Sequence, residues 1–260
     1  MIVRSLPSGE LALMGQTDHS RLVGQFAAHW GNAEFATPEP YDSVVRAAIY
    51  HDFGWLGYEM RPLADPESGK PYEFRSLPFR PESLEAYGRW IDWATDVDPY
   101  AGLIIGKHRT GLWQQRYGTI DHPGMNYNPR GMRPEIATFI EQQEARQAQL
   151  AAECDPHQLQ VNYHLLQVWD LLGLYFCCHE PSEDYVAPVP TSYANGSSVR
   201  LELTPRGARE VAMAPYPFDV HPLTVQIGYK ELPDTPFADE ESFRRAYFQA
   251  EQKLMTYTLV

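Results

Sequence analysis

The sequence has few cysteines and no long apolar run. Only three of its 260 residues are cysteines, Cys154, Cys177 and Cys178, and none of them forms a Cys-x-x-Cys pair. This spacing disfavours both a disulfide framework and a structural zinc site. The longest apolar run, Leu171 to Cys178, is far shorter than the roughly 20 residues that a membrane-spanning helix needs. The N-terminus also lacks the apolar core of a signal peptide, so we expect a cytoplasmic protein.

Positive charge is also scarce. The chain has 21 Lys and Arg against 34 Asp and Glu, which gives a net charge of −13. Such a surplus works against binding to nucleic-acid backbones and to anionic membranes. The sequence contains no Gly-rich phosphate loop, no nucleophile elbow and no dinucleotide-binding motif. We therefore expect a small-molecule partner rather than a nucleic acid or a membrane, and the oligomeric state stays open.

The hydrophobic pattern predicts a single domain with a mainly α fold. A helical bundle is expected over residues 15–180, with a smaller antiparallel β layer formed by an N-terminal hairpin (1–14) and C-terminal strands (185–260). The predicted helices run from Thr17 or Asp18 to Trp30, from Asp42 or Ser43 to His51, from Pro81 to Thr95, from Pro99 to Lys107, from Pro134 to Glu153 and from Pro156 to Cys178.

Two segments rich in proline, glycine or asparagine interrupt these helices, at residues 61–81 and 118–134. Loops of this length in compact domains often form lids or binding loops. We expect them to frame a pocket or to pack on the helical body, with four aromatic residues as apolar contacts: Tyr72, Phe74, Phe79 and Tyr127.

Histidine and aspartate recur on the apolar faces of these predicted helices. His19 lies on the first helix, the pair His51 and Asp52 ends the second, and Asp170 lies within the last long helix. Imidazole and carboxylate ligands suit iron, manganese or zinc, and helices can direct them to one point inside a bundle. The pattern predicts a divalent metal site. The alternative is structural, with His19 and Asp170 forming a buried hydrogen bond and Asp52 at a solvated helix end.

The surroundings of these residues resemble a known superfamily. The segments are Gln16-Thr17-Asp18-His19, His51-Asp52-Phe53-Gly54-Trp55 and Trp169-Asp170. They resemble the HD-domain superfamily of metal-dependent phosphohydrolases, and, over most of the chain, a bacterial HD-like family of unknown function. The resemblance implies that His19, His51, Asp52 and Asp170 are metal ligands. Many HD hydrolases continue the dyad with Gly-Lys, whereas Trp55 stands here, which counts against a lysine-assisted mechanism.

His108 has two possible roles. It lies between Lys107 and Arg109 in a segment bounded by Gly106 and Gly111, which we interpret as a turn at a helix end. In two-metal HD proteins further histidines bind the second metal, so the resemblance gives this role to His108, with His122 as a weaker candidate. Alternatively, Lys107 and Arg109 bind an anion and His108 contacts the substrate. An ordinary solvated helix end would also carry such basic residues.

These residues lead to three hypotheses for function. The first is a hydrolase in which metal-activated water attacks a small phosphorylated or otherwise anionic metabolite, with Lys107 or Arg109 neutralising the developing charge. The second is a di-iron oxygenase of the HD type with the same ligands. The third is a non-catalytic protein that binds a small ligand or a partner. Metal content separates the third from the others, and oxygen dependence separates the first two.

Overall fold

The fold combines eight described α-helices with a large β-sheet. The computed structural model describes residues 1–114, 116–119 and 132–260, without the side chains of 118 and 119. The helices in this part are α1 (Gln16–His29), α2 (Tyr41–Tyr50), α3 (Leu56–Glu59), α4 (Pro81–Val97), α5 (Pro99–Trp113), α6 (Pro134–Ala151), α7 (Pro156–Cys178) and α8 (Glu240–Gln249), with short 3-10 helices at Phe53–Trp55 and Arg116–Thr119.

Both ends of the chain contribute to one curled sheet. Its order is β1-β2-β6-β7-β5-β4-β3, and neighbouring strands are antiparallel except β5 and β7, which are parallel. The strands are β1 (Ile2–Ser5), β2 (Glu10–Met14), β3 (Asp184–Pro190), β4 (Ser198–Gly207), β5 (Glu210–Ala214), β6 (Leu223–Pro233) and β7 (Gln252–Leu259).

The prediction of a mainly α fold with a small antiparallel layer is therefore wrong. Among the described residues the structure is mixed, with 47% helix, 22% strand and a sheet of seven strands. The main reason is β3, where Pro188 and Pro190 give the sequence the character of a linker. Proline is tolerated in β3 because this strand lies at the edge of the sheet, where one side needs no ladder hydrogen bonds.

The prediction that α5 ends at Lys107 and continues into a turn is also wrong. The helix continues through Gly106 and Gly111 to Trp113. These glycines permit close packing: a Cβ at Gly111 would lie 1.9 Å from the Tyr163 hydroxyl. Glycine inside a helix can indicate such an approach as well as a helix end. The result matters for the site, because His108 and Arg109 are buried in mid-helix rather than solvated at a terminus.

The helices and the sheet share one hydrophobic core. Phe176 of α7 packs between Phe26 of α1 and Tyr257 of β7, with ring centroids 5.9 and 4.9 Å apart and the rings tilted to one another. The buried guanidinium of Arg4 in β1 donates to the Phe176 carbonyl (3.1 Å) and to the Tyr257 hydroxyl (2.8 Å). These contacts fix α1 and α7 against the sheet.

None of the described helices has the length and apolar character needed to cross a bilayer.

The first of the two predicted loops lies wholly within the described residues. Residues 61–80 contain only an isolated bridge between Ala64 and Pro71, and Phe74 and Phe79 pack against the main core. Their packing agrees with the structural interpretation of these aromatic residues. Most of the second loop lies outside the described residues, including His122 and Tyr127.

Candidate metal centre

Three parts of the chain bring four histidine and aspartate side chains together in the interior. His19 comes from α1, His51 and Asp52 follow the last turn of α2, and Asp170 comes from α7. One ligand atom from each lies within 4.8 Å of the others, and all four residues are buried. The structure thus places the four sequence-predicted ligands in one cluster that could hold a metal ion.

Small residues allow the helices to approach closely around this cluster. A Cβ at Gly173 of α7 would lie 2.7 Å from His19 Cε1 and 2.7 Å from Val23 Cγ2. A Cβ at Gly24 of α1 would lie 2.3 Å from Ile49 Cγ1 in α2. Since real Cβ atoms do not approach other atoms so closely, both positions require glycine for this packing. His19 therefore reaches Asp170 because α1 and α7 touch along a glycine.

The distances between donor atoms suit coordination of a metal ion. His19 Nε2 lies 2.8 Å from Asp170 Oδ1, while His51 Nε2 lies 3.4 Å from the same oxygen and 3.6 Å from Asp52 Oδ2. Two donors bonded at about 2.1 Å to one ion are separated by roughly 3.0 to 3.4 Å at octahedral or tetrahedral angles. The observed separations bracket that range. The His19 and Asp170 contact also has the length of a hydrogen bond, as the structural alternative requires.

His51 presents an unsatisfied nitrogen to the cluster. Its Nδ1–H donates to the Ala48 carbonyl oxygen at 2.8 Å, which fixes the ring orientation. In its neutral form, which a metal ligand requires, the ring then carries a lone pair on Nε2. This atom is buried and makes no hydrogen bond of good geometry to any residue that the structure describes. An unsatisfied buried acceptor beside two carboxylates is the arrangement that a bound cation would complete.

The charges of the cluster also favour a cation. Burial alone would lower the pKa of His51, but the carboxylates of Asp52 and Asp170 raise it to about 8. Burial alone would raise the pKa values of both aspartates, but the surrounding imidazoles hold them well below the usual range. Both carboxylates are thus ionised at neutral pH. The donor set suits iron, manganese or zinc.

His108 lies beside the four-residue cluster. Its Nε2 is buried, lies 3.5 Å from Asp52 Oδ1 and makes no hydrogen bond of good geometry within residues 1–114, 116–119 and 132–260. Its Nδ1 is hydrogen-bonded to the Tyr117 hydroxyl. Asp52 consequently faces His51 with one oxygen and His108 with the other. Burial lowers the pKa of His108, which favours the neutral ring that a metal would need.

Arg109 contacts the cluster through an aromatic residue. Its guanidinium lies 3.9 Å from the ring centroids of both Tyr87 and Trp113 and is only 8% exposed. Within the described residues it has no ion pair or hydrogen bond. The Tyr87 hydroxyl donates to Asp52 Oδ1 at 2.6 Å. Arg109 is therefore a buried cation with no anionic partner in the part of the chain that the structure describes, and the Tyr87 ring separates it from Asp52.

Lys107 has different surroundings. Its Nζ lies 5.4 Å from the Tyr163 ring centroid, and the side chain lines a polar cavity together with Arg116. The two cations assigned together from the sequence thus belong to separate environments. Successive residues of a helix diverge by about 100°, so Lys107, His108 and Arg109 cannot all face one point.

Three residues near the cluster were not predicted from the sequence to belong to the site. Tyr87 is hydrogen-bonded to Asp52, and Tyr117 is hydrogen-bonded to His108. The thiol of Cys177 lies 3.8 Å from His19 Nδ1. Cys177 follows Asp170 by seven residues, which is two helical turns on the same face. That spacing could have identified Cys177, but aromatic residues on inward faces look the same whether they serve a core or a site.

A comparison with protein families identifies the family of the chain. A family model described as a protein of unknown function, DUF3891, matches residues 1–234. The chain belongs to the DUF3891 family. No curated protein and no solved structure matches the chain. The span shared with DUF3891 includes the cluster, His108 and Arg109, whereas α8 and β7 follow it.

Proposed function

We propose that His19, His51, Asp52 and Asp170 hold a divalent metal ion and that the protein is a metal-dependent hydrolase of the HD type. Its substrate is a small phosphorylated or otherwise anionic metabolite. The observation that carries the proposal is the convergence of four buried donors around an unsatisfied His51 Nε2. A purely structural cluster would be expected to satisfy that nitrogen with a hydrogen bond.

The residues of the chain would have separate tasks. When bound, the metal would lower the pKa of water toward about 7 and stabilise developing negative charge. Tyr87 would hold Asp52 in place through its hydrogen bond. Arg109 would bind an anionic group of the substrate, because its guanidinium lacks a partner in the described part of the chain and is held by two aromatic rings. It would supply the positive charge that a lysine at the position of Trp55 supplies in many HD hydrolases.

The thiol nearest the cluster is a poor alternative nucleophile. Burial raises the pKa of Cys177 well above its ordinary value. Since the thiolate is the reactive form, such a thiol is inert near neutral pH. Water is therefore the better candidate for the nucleophile.

A second candidate function rests on His108. Its unsatisfied Nε2 lies 3.5 Å from Asp52 Oδ1, while Asp52 Oδ2 faces His51. This arrangement would let Asp52 bridge two metal ions, with His108 as a ligand of the second. Two irons so placed would suit the oxygenase hypothesis.

A substrate panel tests these functions. Phosphomonoesters, phosphodiesters and nucleotides are assayed with manganese, iron, zinc or magnesium, with and without oxygen. We expect phosphoester hydrolysis that is independent of oxygen and lost on chelation of the metal. Turnover only in oxygen would instead support the oxygenase, and no turnover by a metal-loaded protein would support the binding protein.

The variant Arg109→Gln refines this test. We expect it to retain the metal but to lose roughly 10²- to 10³-fold in kcat, the usual cost of removing a group that stabilises transition-state charge. Arg21→Gln is the matched control, because Arg21 is exposed on α1 and its ion pair with Asp18 lies at the surface. Equal activities for these two variants would contradict the role of Arg109.

A further inference from the structure

A polar cavity lies between α5 and α7, next to the metal centre. Its volume is about 360 Å³, which is within the range of small-ligand pockets. It is lined by Lys107, Arg116, Gln160, Tyr163, His164 and Gln167. All six side chains carry polar groups, and none of them is a carboxylate.

The cavity lining is positively charged. Lys107 and Arg116 both face it. Glu144, which pairs with Arg116 Nη2 at 2.5 Å, offsets part of this charge from outside the lining. Two cations brought together around a cavity repel each other, and a bound anion would relieve that repulsion.

Buried polar groups complete the lining. Tyr163 is 2% exposed and Gln167 is 3% exposed. The Tyr163 hydroxyl and His164 Nε2 make no hydrogen bond of good geometry within the described residues. Buried polar groups normally have partners, so the hydrogen bonding of this part of the lining is incomplete.

The cavity also lies close to the proposed metal ion. Gln167 and Asp170 are three residues apart on α7 and therefore lie on neighbouring turns of one face. On α5, Lys107 of the cavity immediately precedes His108 of the metal centre. Along α7 the cavity and the metal centre are thus about one helical turn apart, roughly 5.4 Å.

We propose that this cavity is an oxyanion subsite. It binds the second anionic group, a phosphate or a carboxylate, of a substrate whose reacting group lies at the metal centre. This inference rests on the proposed function for the identity of the ligand. The oxyanion site itself can be tested without metal and without activity.

The test uses the reactivity of lysine in the metal-free protein. The chain has four lysines, Lys70, Lys107, Lys230 and Lys253, and their acetylation by a mild reagent is followed by peptide mass spectrometry. Inorganic phosphate is the probe, and sodium chloride of equal ionic strength is the control. We expect phosphate to slow acetylation of Lys107 several-fold and to leave the other three lysines unchanged. No protection, or equal protection of all four, would overturn the proposal.

Two variants are expected to change the phosphate affinity of the cavity in opposite directions. Arg116→Gln removes a charge-assisted hydrogen bond, so we expect the half-protecting phosphate concentration to rise about tenfold. Glu144→Gln removes a competing negative charge, and the same concentration should fall about twofold. If Arg116→Gln leaves the half-protecting concentration unchanged, the cavity is not the oxyanion site.

A kinetic comparison separates a substrate subsite from a site for free anions. Once a substrate is found, Arg116→Gln should raise KM for an analogue with two anionic groups and leave KM unchanged for an analogue with one. Equal KM values for wild type and variant with the doubly anionic analogue would overturn the substrate role. Because the labelling needs no turnover, failure of the hydrolase proposal would not be mistaken for failure of the oxyanion site.

Discussion

Asp52→Ala is expected to remove the metal and the activity together. The carboxylate of Asp52 lies 3.6 Å from His51 Nε2 and 3.5 Å from His108 Nε2, and no other carboxylate in the described residues joins this cluster apart from Asp170. Loss of a direct ligand should weaken metal affinity by more than the roughly 10- to 100-fold that outer-shell changes cost. Metal content after dialysis and the rate of hydrolysis measure both effects.

Lys107→Ala is the comparison for that variant. Lys107 lines the separate polar cavity, so its loss should leave metal content at the wild-type level. Asp52→Asn keeps the volume of the side chain and guards against a folding defect in the alanine variant. Wild-type metal content in both Asp52 variants would show that Asp52 is not a ligand.

Gly173→Ala is expected to damage both stability and metal binding. The added methyl group would lie 2.7 Å from His19 Cε1 and from Val23 Cγ2, so α1 and α7 must separate or His19 must turn. Overpacking of this kind costs about 1–3 kcal/mol. Chemical denaturation of the metal-free protein measures the stability, and titration with zinc or manganese measures the affinity.

Gly88→Ala provides the matched control. Gly88 also lies inside a helix, α4, but its nearest potential contact is an ordinary 3.6 Å to Phe139 Cε2. Alanine there should stabilise the protein by about 0.5–1 kcal/mol, because glycine is the poorer helix former. If Gly173→Ala proved as stable as Gly88→Ala and bound metal normally, the close contact between α7 and His19 would have no role in the site.

The cluster could be predicted from the sequence because residues that can bind a metal occur at the inward-facing positions of the predicted helices. His19 and Asp170 are polar residues on otherwise apolar helical faces, and such positions are rarely occupied without a partner. The first and last residues of α7 were also predicted correctly. Pro156 occupies the first turn, and the Asp155 side chain caps the helix by accepting a hydrogen bond from Gln158 N at 2.7 Å.

The remaining features depend on tertiary packing. Gly106 and Gly111 suggest a helix end locally, but at Gly111 the Tyr163 hydroxyl of α7 leaves no room for a side chain within α5. The prolines of β3 suggest a linker until the strand is placed at the edge of a sheet. The position of Arg109 between Tyr87 and Trp113 joins α4 to α5, and no local pattern encodes such a contact.

The most direct test of the metal centre is anomalous diffraction. Crystals of the protein loaded with zinc or manganese are measured on both sides of the absorption edge of that metal. We predict a strong anomalous peak about 2.0–2.3 Å from His19 Nε2, His51 Nε2 and a carboxylate oxygen of both Asp52 and Asp170. A well-ordered cluster without a peak, or with the metal bound elsewhere, would contradict the proposed site.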